Sequence, residues 1–149
     1  MPKKYFSNDY DDGNFVAHGQ YEARIENHIF FCSVTGPLNV EGILALGKAR
    51  RACLSQVIEP STIPSIVVLS RSMLMSPDAF ELYAKNLKQD LQEIKSTLVM
   101  AYVVPNDIEG RSIMLPMFDR IFKENNITWQ IFDNVDDAKN WITSIKAAA

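Results

Sequence analysis

Arginine and hydroxyl side chains cluster in three short segments that could bind an anion. The segments are TGPLN at 35–39, SRSMLMSP at 70–77 and PNDIEGRS at 105–112. Arg71 and Arg111 each lie shortly before a predicted helix, so together they could hold a phosphate or a carboxylate. The alternative is that both are solvated arginines paired with nearby acids, an arrangement that contributes little energy. The polar candidates for a binding site are Thr35, Arg71, Ser72, Ser76 and Arg111.

No set of side chains with catalytic or metal-binding spacing stands out in the sequence. His18 and His28 have no serine, cysteine or acid in a recognisable catalytic arrangement, and GxSxG, HExxH and phosphate-loop motifs are absent. Cys32 and Cys53 lack CxxC spacing and sit among apolar residues, which is typical of buried thiols. The sequence therefore predicts a non-enzymatic protein with no catalytic residues, no metal site and no cofactor.

A second group of candidates consists of apolar residues in a predicted loop and in a continuous apolar run, where the sequence pattern does not predict burial of every side chain. Met73, Leu74 and Met75 fall in a predicted loop, and methionine suits adaptable binding surfaces. Residues 113–118 are all apolar, and one helix face cannot bury them all because consecutive residues point about 100° apart. Exposed apolar patches mark partner, ligand or membrane sites, whereas the alternative is a helix start buried under a loop. The apolar candidates are Met73, Met75, Met114, Met117 and Phe118.

Composition and charge restrict the classes of partner. The chain has 149 residues, 47% of them hydrophobic, and a net charge of −3, as expected for one globular domain. Its lysines and arginines form no basic stripe, which argues against nucleic acid as a partner. The first residues lack the apolar stretch of a signal peptide, and no run approaches the ~20 apolar residues of a membrane span. We expect a cytoplasmic protein, with peripheral membrane association as the open alternative.

The elements that must position these residues alternate between strands and helices. Residues 1–13 are polar and acidic and predict a flexible N-terminal tail, whereas residues 14–146 predict a single domain. Apolar and polar residues alternate from Phe15 to Ile25, and HIFFCSVTG follows as a second strand, which indicates an antiparallel hairpin. The apolar runs SIVVL and LVMAYVV are typical of strands buried on both faces.

The predicted order is β-β-α-β-α-β-α-β-α, an α/β fold. Its sheet would be mixed and mainly parallel, with an N-terminal antiparallel hairpin and about four helices. Asn39, Ser76 and Asn134 stand at the starts of helical patterns, where their side chains can cap free backbone N–H groups. Ligands of such sheets bind at the carboxyl ends of the strands, where the three polar segments should meet.

Several segments resemble the SpoIIAA-like proteins of the STAS superfamily. The matching pieces are the hairpin, TGPLNVEGILAL, SIVVLSRSMLMSPDAF and WQIFDNVDDAKNWI, over about residues 15–146. The resemblance implies a regulatory module that binds a partner protein, and a similarity to CRAL-TRIO lipid-binding domains. In STAS anti-sigma factor antagonists a loop hydroxyl is phosphorylated, which makes Ser76 the candidate. The family's Asp-Ser-Ser-Gly is Met75-Ser76-Pro77-Asp78 here, and Ser76 also fits a helix N-cap with proline next.

Two classes of function remain open from the sequence. The first is a non-enzymatic regulatory or interaction module that binds a protein partner, or a second copy of itself, through the 70–77 loop. The alternative is a binder of an apolar or anionic small ligand, lipid-like in character, or of a membrane surface, through residues 73–75 and 113–118. A ligand binder should have an apolar pocket between those loops, whereas an interaction module should have a filled core and an exposed patch.

Overall fold

The computed structural model describes residues 2–10, 17–56, 63–94 and 98–148, which form an α/β fold around one mixed sheet. Within these ranges the sheet has six strands in sequential order, namely β1 Tyr5–Phe6, β2 Gln20–Glu26, β3 Ile29–Thr35, β4 Ser65–Ser70, β5 Val99–Val103 and β6 Thr128–Phe132. The helices are α1 Val40–Leu54, α2 Pro77–Ile94, α3 Arg111–Glu124 and α4 Val135–Ala148. The predicted fold class is thus confirmed, with one short strand added at the front.

The strand directions follow the predicted pattern. β2 and β3 are antiparallel and joined by Asn27 and His28, which both have positive φ, at 52° and 61°. Such a two-residue turn suits the right-handed twist of the flanking strands. β3, β4, β5 and β6 are mutually parallel. The alternation predicted for the hairpin's first strand is confirmed within β2, because Tyr21 and Ala23 point into the core. The strand begins at Gln20, so residues 17–19 of the predicted strand lie outside it.

The prediction of a flexible tail is wrong for residues 5–10, which have regular secondary structure. Tyr5 pairs with β2 as part of an edge strand, and the four residues after that strand form a short 3-10 helix. Tyr5 is only 7% exposed, and the Ser7 hydroxyl accepts a hydrogen bond from a backbone N–H of β2. A two-residue strand is too short for alternation to reveal it. Residues 11–13 lie outside the described residues, as do Phe15 and Val16.

Helices α1, α2 and α3 cover one face of the sheet, and α4 covers the other. Right-handed crossovers between sequential parallel strands place all the connecting helices on the same face. Successive strand residues point to opposite faces, so Val67 packs under α1 and α2 whereas Ile66 packs with Ile142 of α4. The larger of the two cores therefore lies between the sheet and the three connecting helices.

Side-chain caps begin α1 and α4 where the sequence predicts them. The Asn39 side-chain oxygen accepts a hydrogen bond from the Gly42 N–H at 2.8 Å, and the Asn134 side-chain oxygen accepts one from the Asp137 N–H at 2.8 Å. These bonds satisfy N–H groups that have no partner within the helix. The capped starts fix the loops that follow β3 and β6.

Candidate functional site

The three polar segments predicted to meet at the carboxyl ends of the strands do lie together. The Ser72 hydroxyl donates to the Glu109 carboxylate at 2.7 Å, and the backbones of these two residues form a parallel bridge. The Thr35 and Ser70 hydroxyls are hydrogen bonded at 3.0 Å. We call this arrangement of loops the carboxyl-end cluster.

The loops of the carboxyl-end cluster are closely packed. A Cβ atom at Gly36 would collide with the Ser72 carbonyl oxygen, and one at Gly110 would collide with the Leu74 side chain. The apolar space beneath, lined by Met73 and other residues, has a volume of about 20 Å³. That volume holds about one water molecule. An apolar space therefore lies between these loops, as predicted for a ligand binder, but it holds no more than a group the size of a water molecule.

Arg71 and Arg111 flank the carboxyl-end cluster without forming an ion pair within the described parts of the chain. Arg71 is exposed and takes a left-handed backbone conformation with φ of 65°. Arg111 is half-buried, and its Nε atom is buried without a hydrogen-bond partner. The alternative pairing with acids of the neighbouring segments is thus not seen. Anion binding by the two arginines stays a prediction.

Three of the apolar candidates are core residues. Met73, Met114 and Phe118 are 4%, 1% and 3% exposed, and Met75 and Met117 are half-buried. The alternative of a buried helix start is correct for Met114 and Phe118, because α3 turns these positions towards the sheet. Ile113, at 62% exposure, and Pro116 are the residues of this run that face solvent.

Ser76 caps α2 in the way predicted from its position before Pro77. Its hydroxyl oxygen accepts a hydrogen bond from the Ala79 N–H at 3.2 Å. We expect Ser76→Ala to lower the free energy of unfolding by about 1 kcal/mol, because an N–H of the first turn loses its partner. Ser76→Asp should cost much less, since aspartate also caps helices. Urea denaturation of the three proteins measures the difference, and equal losses in both variants would contradict a capping role.

A larger cavity lies between α1, α2 and the sheet, and we call it the α1–α2 crevice. Its volume is about 80 Å³, and most of its lining is apolar. Lining side chains from the sheet and from the two helices include Phe30, Leu46, Leu54, Val67, Leu87 and Met100. A concave, largely apolar space with a few convergent polar groups is the usual form of a small-molecule site.

The central polar group of the α1–α2 crevice is an ion pair between Arg50 of α1 and Asp90 of α2. Nη2 of Arg50 donates to Oδ2 of Asp90, and the two side chains are 12% and 13% exposed. Burial lowers the pKa of Arg50, but the neighbouring groups, of which Asp90 has the largest effect, together outweigh burial, so the pKa of Arg50 is raised. The guanidinium therefore stays charged although apolar side chains surround it.

Hydroxyl and thiol groups complete the polar part of the crevice. The Tyr21 hydroxyl lies 3.1 Å from Sγ of Cys32, and the Tyr83 and Tyr102 hydroxyls lie 3.2 Å apart. Burial raises the pKa values of Tyr21 and Tyr102 well above 10.0, so both remain protonated at neutral pH. Burial also raises the pKa of Cys32 from 9.0 to about 12. The Cys32 sulfur is thus a thiol rather than a nucleophilic thiolate.

The raised pKa of Cys32 predicts a loss of stability in alkali. Above pH 9 the thiol of the unfolded chain loses its proton while the folded protein keeps it, so the free energy of unfolding falls as pH rises. In Cys32→Ala the decline between pH 8 and pH 10 should be smaller by about 1 kcal/mol. Urea denaturation at both pH values measures this difference. An unchanged decline in the variant would contradict the buried neutral thiol.

Sequence reasoning missed the Arg50–Asp90 pair, although a signal for it was present. Arg50 follows Leu46 by four positions and therefore falls on the apolar stripe of α1. Asp90 follows Leu87 by three positions on the apolar stripe of α2. A charge on each of two apolar stripes indicates a buried pair, provided that the two helices lie side by side.

Within residues 2–10, 17–56, 63–94 and 98–148, no group of three or more His, Cys, Asp or Glu side chains is arranged to hold a metal ion. Among the same residues, no helix combines the length and the apolar character needed to cross a bilayer.

Comparisons with known proteins provide little further information. No family model matches the chain, and no curated protein matches it. Among solved structures, the human cytomegalovirus terminase nuclease domain matches with 11% identity and a TM-score of 0.26, covering 98% of this chain and 73% of that one. A likeness at this TM-score carries no argument about function. The resemblance to SpoIIAA-like proteins stays a prediction.

Proposed function

We propose that this protein is a non-enzymatic module that binds a compact, mainly apolar small molecule in the α1–α2 crevice. The observation that supports the proposal is the crevice itself, with about 80 Å³ of space, apolar walls and one buried ion pair. At about 15 Å³ for each water-sized group, this space accepts about five non-hydrogen atoms. A longer ligand would extend from the open side of the crevice.

The lining favours binding over catalysis. The Cys32 thiol and the Tyr21 and Tyr102 hydroxyls stay protonated at neutral pH, so none of them is an activated nucleophile or a general base. The Asp90 carboxylate is held by Arg50. These groups can donate or accept hydrogen bonds to a ligand, and the apolar walls supply most of the binding energy.

The interaction module predicted from the SpoIIAA-like resemblance is the second candidate. Its support is Ile113, which is 62% exposed beside the tightly packed carboxyl-end cluster. A protein partner or a second copy docking on the 70–77 loop would cover this side chain. The Ile113→Glu variant should then lose the contact while keeping the fold. Sedimentation of both proteins tests the homodimer form of this proposal.

The first test of the proposed function is a titration with 1-pentanol, followed by amide NMR spectra of the labelled protein. We expect saturable shifts at residues that line the α1–α2 crevice. In Leu46→Phe the larger ring should fill part of the crevice and abolish these shifts. Leu44→Phe is the matched control, because Leu44 is two positions away on α1 but 44% exposed and outside the crevice.

The pattern of shifts decides between the proposed sites. Shifts that concentrate on residues 70–77, or that stay linear up to the solubility of the alcohol, would contradict binding in the crevice. Equal loss of shifts in both phenylalanine variants would indicate a general disturbance of α1 rather than a filled site. Only loss confined to Leu46→Phe supports the proposal.

A further inference from the structure

We infer that the ligand of the α1–α2 crevice is a short-chain carboxylic acid and that Arg50 binds its carboxylate. The inference rests on the proposed function and adds the chemical class of the ligand. Among the described residues that line the crevice, Arg50 is the basic one. A guanidinium carries five N–H donors in a planar fork that matches the two oxygens of a carboxylate.

The Arg50 guanidinium has N–H donors that do not bond to Asp90. Within the described residues its hydrogen bond is the one from Nη2 to Asp90. Its other nitrogens are not among the fully buried atoms that lack a partner, and the Arg50 side chain lines the crevice. A ligand carboxylate can therefore use a second edge of the guanidinium while Asp90 keeps the first.

Asp90 limits how tightly an acid can bind. In the free protein it neutralises Arg50, which would otherwise be an unpaired charge that is 88% buried by side-chain area, given its 12% exposure. A bound carboxylate would lie near the Asp90 carboxylate, and like charges at short range repel. Replacing Asp90 by a neutral acceptor should therefore strengthen acid binding. Stronger acid binding after this replacement would indicate that Arg50 binds the ligand, because a purely structural Arg50 predicts no such increase.

The surrounding lining suits the rest of such an acid. Leu46, Leu87 and Val67 offer an apolar surface for a short alkyl chain. The space accepts about five non-hydrogen atoms, so the last atoms of a five-carbon acid would extend from the open side of the crevice. The Tyr83 and Tyr102 hydroxyls face the same space and remain protonated, so they add no negative charge beside the carboxylate. Apolar walls with a single cation distinguish an acid from an alcohol of equal length.

The test compares pentanoate with 1-pentanol at neutral pH by amide NMR titration. We expect pentanoate to bind about tenfold more tightly, as one charge-assisted contact implies. Asp90→Asn, which keeps a hydrogen-bond acceptor for Arg50, should tighten pentanoate binding severalfold. The double variant Arg50→Gln/Asp90→Asn removes both charges together, and it should bind both probes with affinities that agree within about twofold. Amide spectra without ligand confirm the fold of each variant.

The possible outcomes separate the inference from the proposed function. Equal affinities for both probes in the unaltered protein would overturn the role of Arg50 and leave crevice binding intact. A preference for pentanoate that persists in the double variant would also overturn it. Weaker pentanoate binding in Asp90→Asn would contradict the competition by Asp90. Absence of binding by either probe at the crevice would overturn both proposals.

Discussion

Asp90→Ala is expected to lower the free energy of unfolding by about 3 kcal/mol. Asp90 and Arg50 are 13% and 12% exposed, so loss of the carboxylate leaves a guanidinium charge in mainly apolar surroundings. Breaking a buried ion pair by removing one partner typically costs ~3–5 kcal/mol, whereas replacing both partners by apolar residues costs far less. The expected cost for this pair is at the lower end of that range because the crevice gives the two side chains some access to water. Urea denaturation at neutral pH measures the change.

The double variant Arg50→Met/Asp90→Leu is the internal control for this result. It removes both charges and keeps apolar volume between α1 and α2, so it should be more stable than Asp90→Ala. An exposed pair offers a second control, since Lys123 and Asp119 are 74% and 39% exposed. Lys123→Ala should change stability by no more than about 0.5 kcal/mol. A loss in Asp90→Ala as small as that in Lys123→Ala would show that the pair is effectively solvated.

Phe118→Ala should lower the free energy of unfolding by about 3–5 kcal/mol. Phe118 is 3% exposed, and its ring lies edge to face with Phe80 and Tyr83 at centroid distances of 5.7 Å. Truncation removes the buried ring and leaves a cavity in the cluster that joins α2, α3 and the sheet, and both effects cost energy. Thermal and urea denaturation both report the loss.

Ile113→Ala is the matched comparison within the same apolar run. Ile113 is 62% exposed, so its truncation should alter stability by no more than about 0.5 kcal/mol. Similar costs at positions 113 and 118 would contradict the orientation of α3. The contrast also guides tests of membrane binding, because acidic substitutions at Met114 or Phe118 would unfold the core. Ile113→Glu alters the exposed apolar surface and leaves the core intact.

The carboxyl-end cluster and the α1–α2 crevice occupy different ends of the same sheet face. Loops at the carboxyl ends of parallel strands are the usual place for a ligand. Here the close approach of Gly36 to the Ser72 carbonyl, and of Gly110 to Leu74, fills that place with the protein's own atoms. The open space lies instead where Leu46 and Leu87 of adjacent helices are separated above the strands. The proposed site therefore follows the packing of helices rather than the general rule for such sheets.

The amino-acid sequence alone determined the fold class and most of the element order. Local patterns carry this information, because alternation at Tyr21 and Ala23, continuous apolar runs and caps such as Asn39 and Asn134 depend only on near neighbours in the chain. The strand Tyr5–Phe6 escaped the same reasoning because two residues show no period.

Tertiary structure decided which candidate residues face a usable space. The six apolar residues at 113–118 are equivalent in sequence, and the rotation of α3 about its axis selects Met114 and Phe118 for the core and Ile113 for solvent. Arg50 and Asp90 are 40 positions apart, and they meet only because α1 and α2 pack side by side on one face of the sheet. Crevice volume depends on the distances between packed elements, and local sequence patterns do not carry that information.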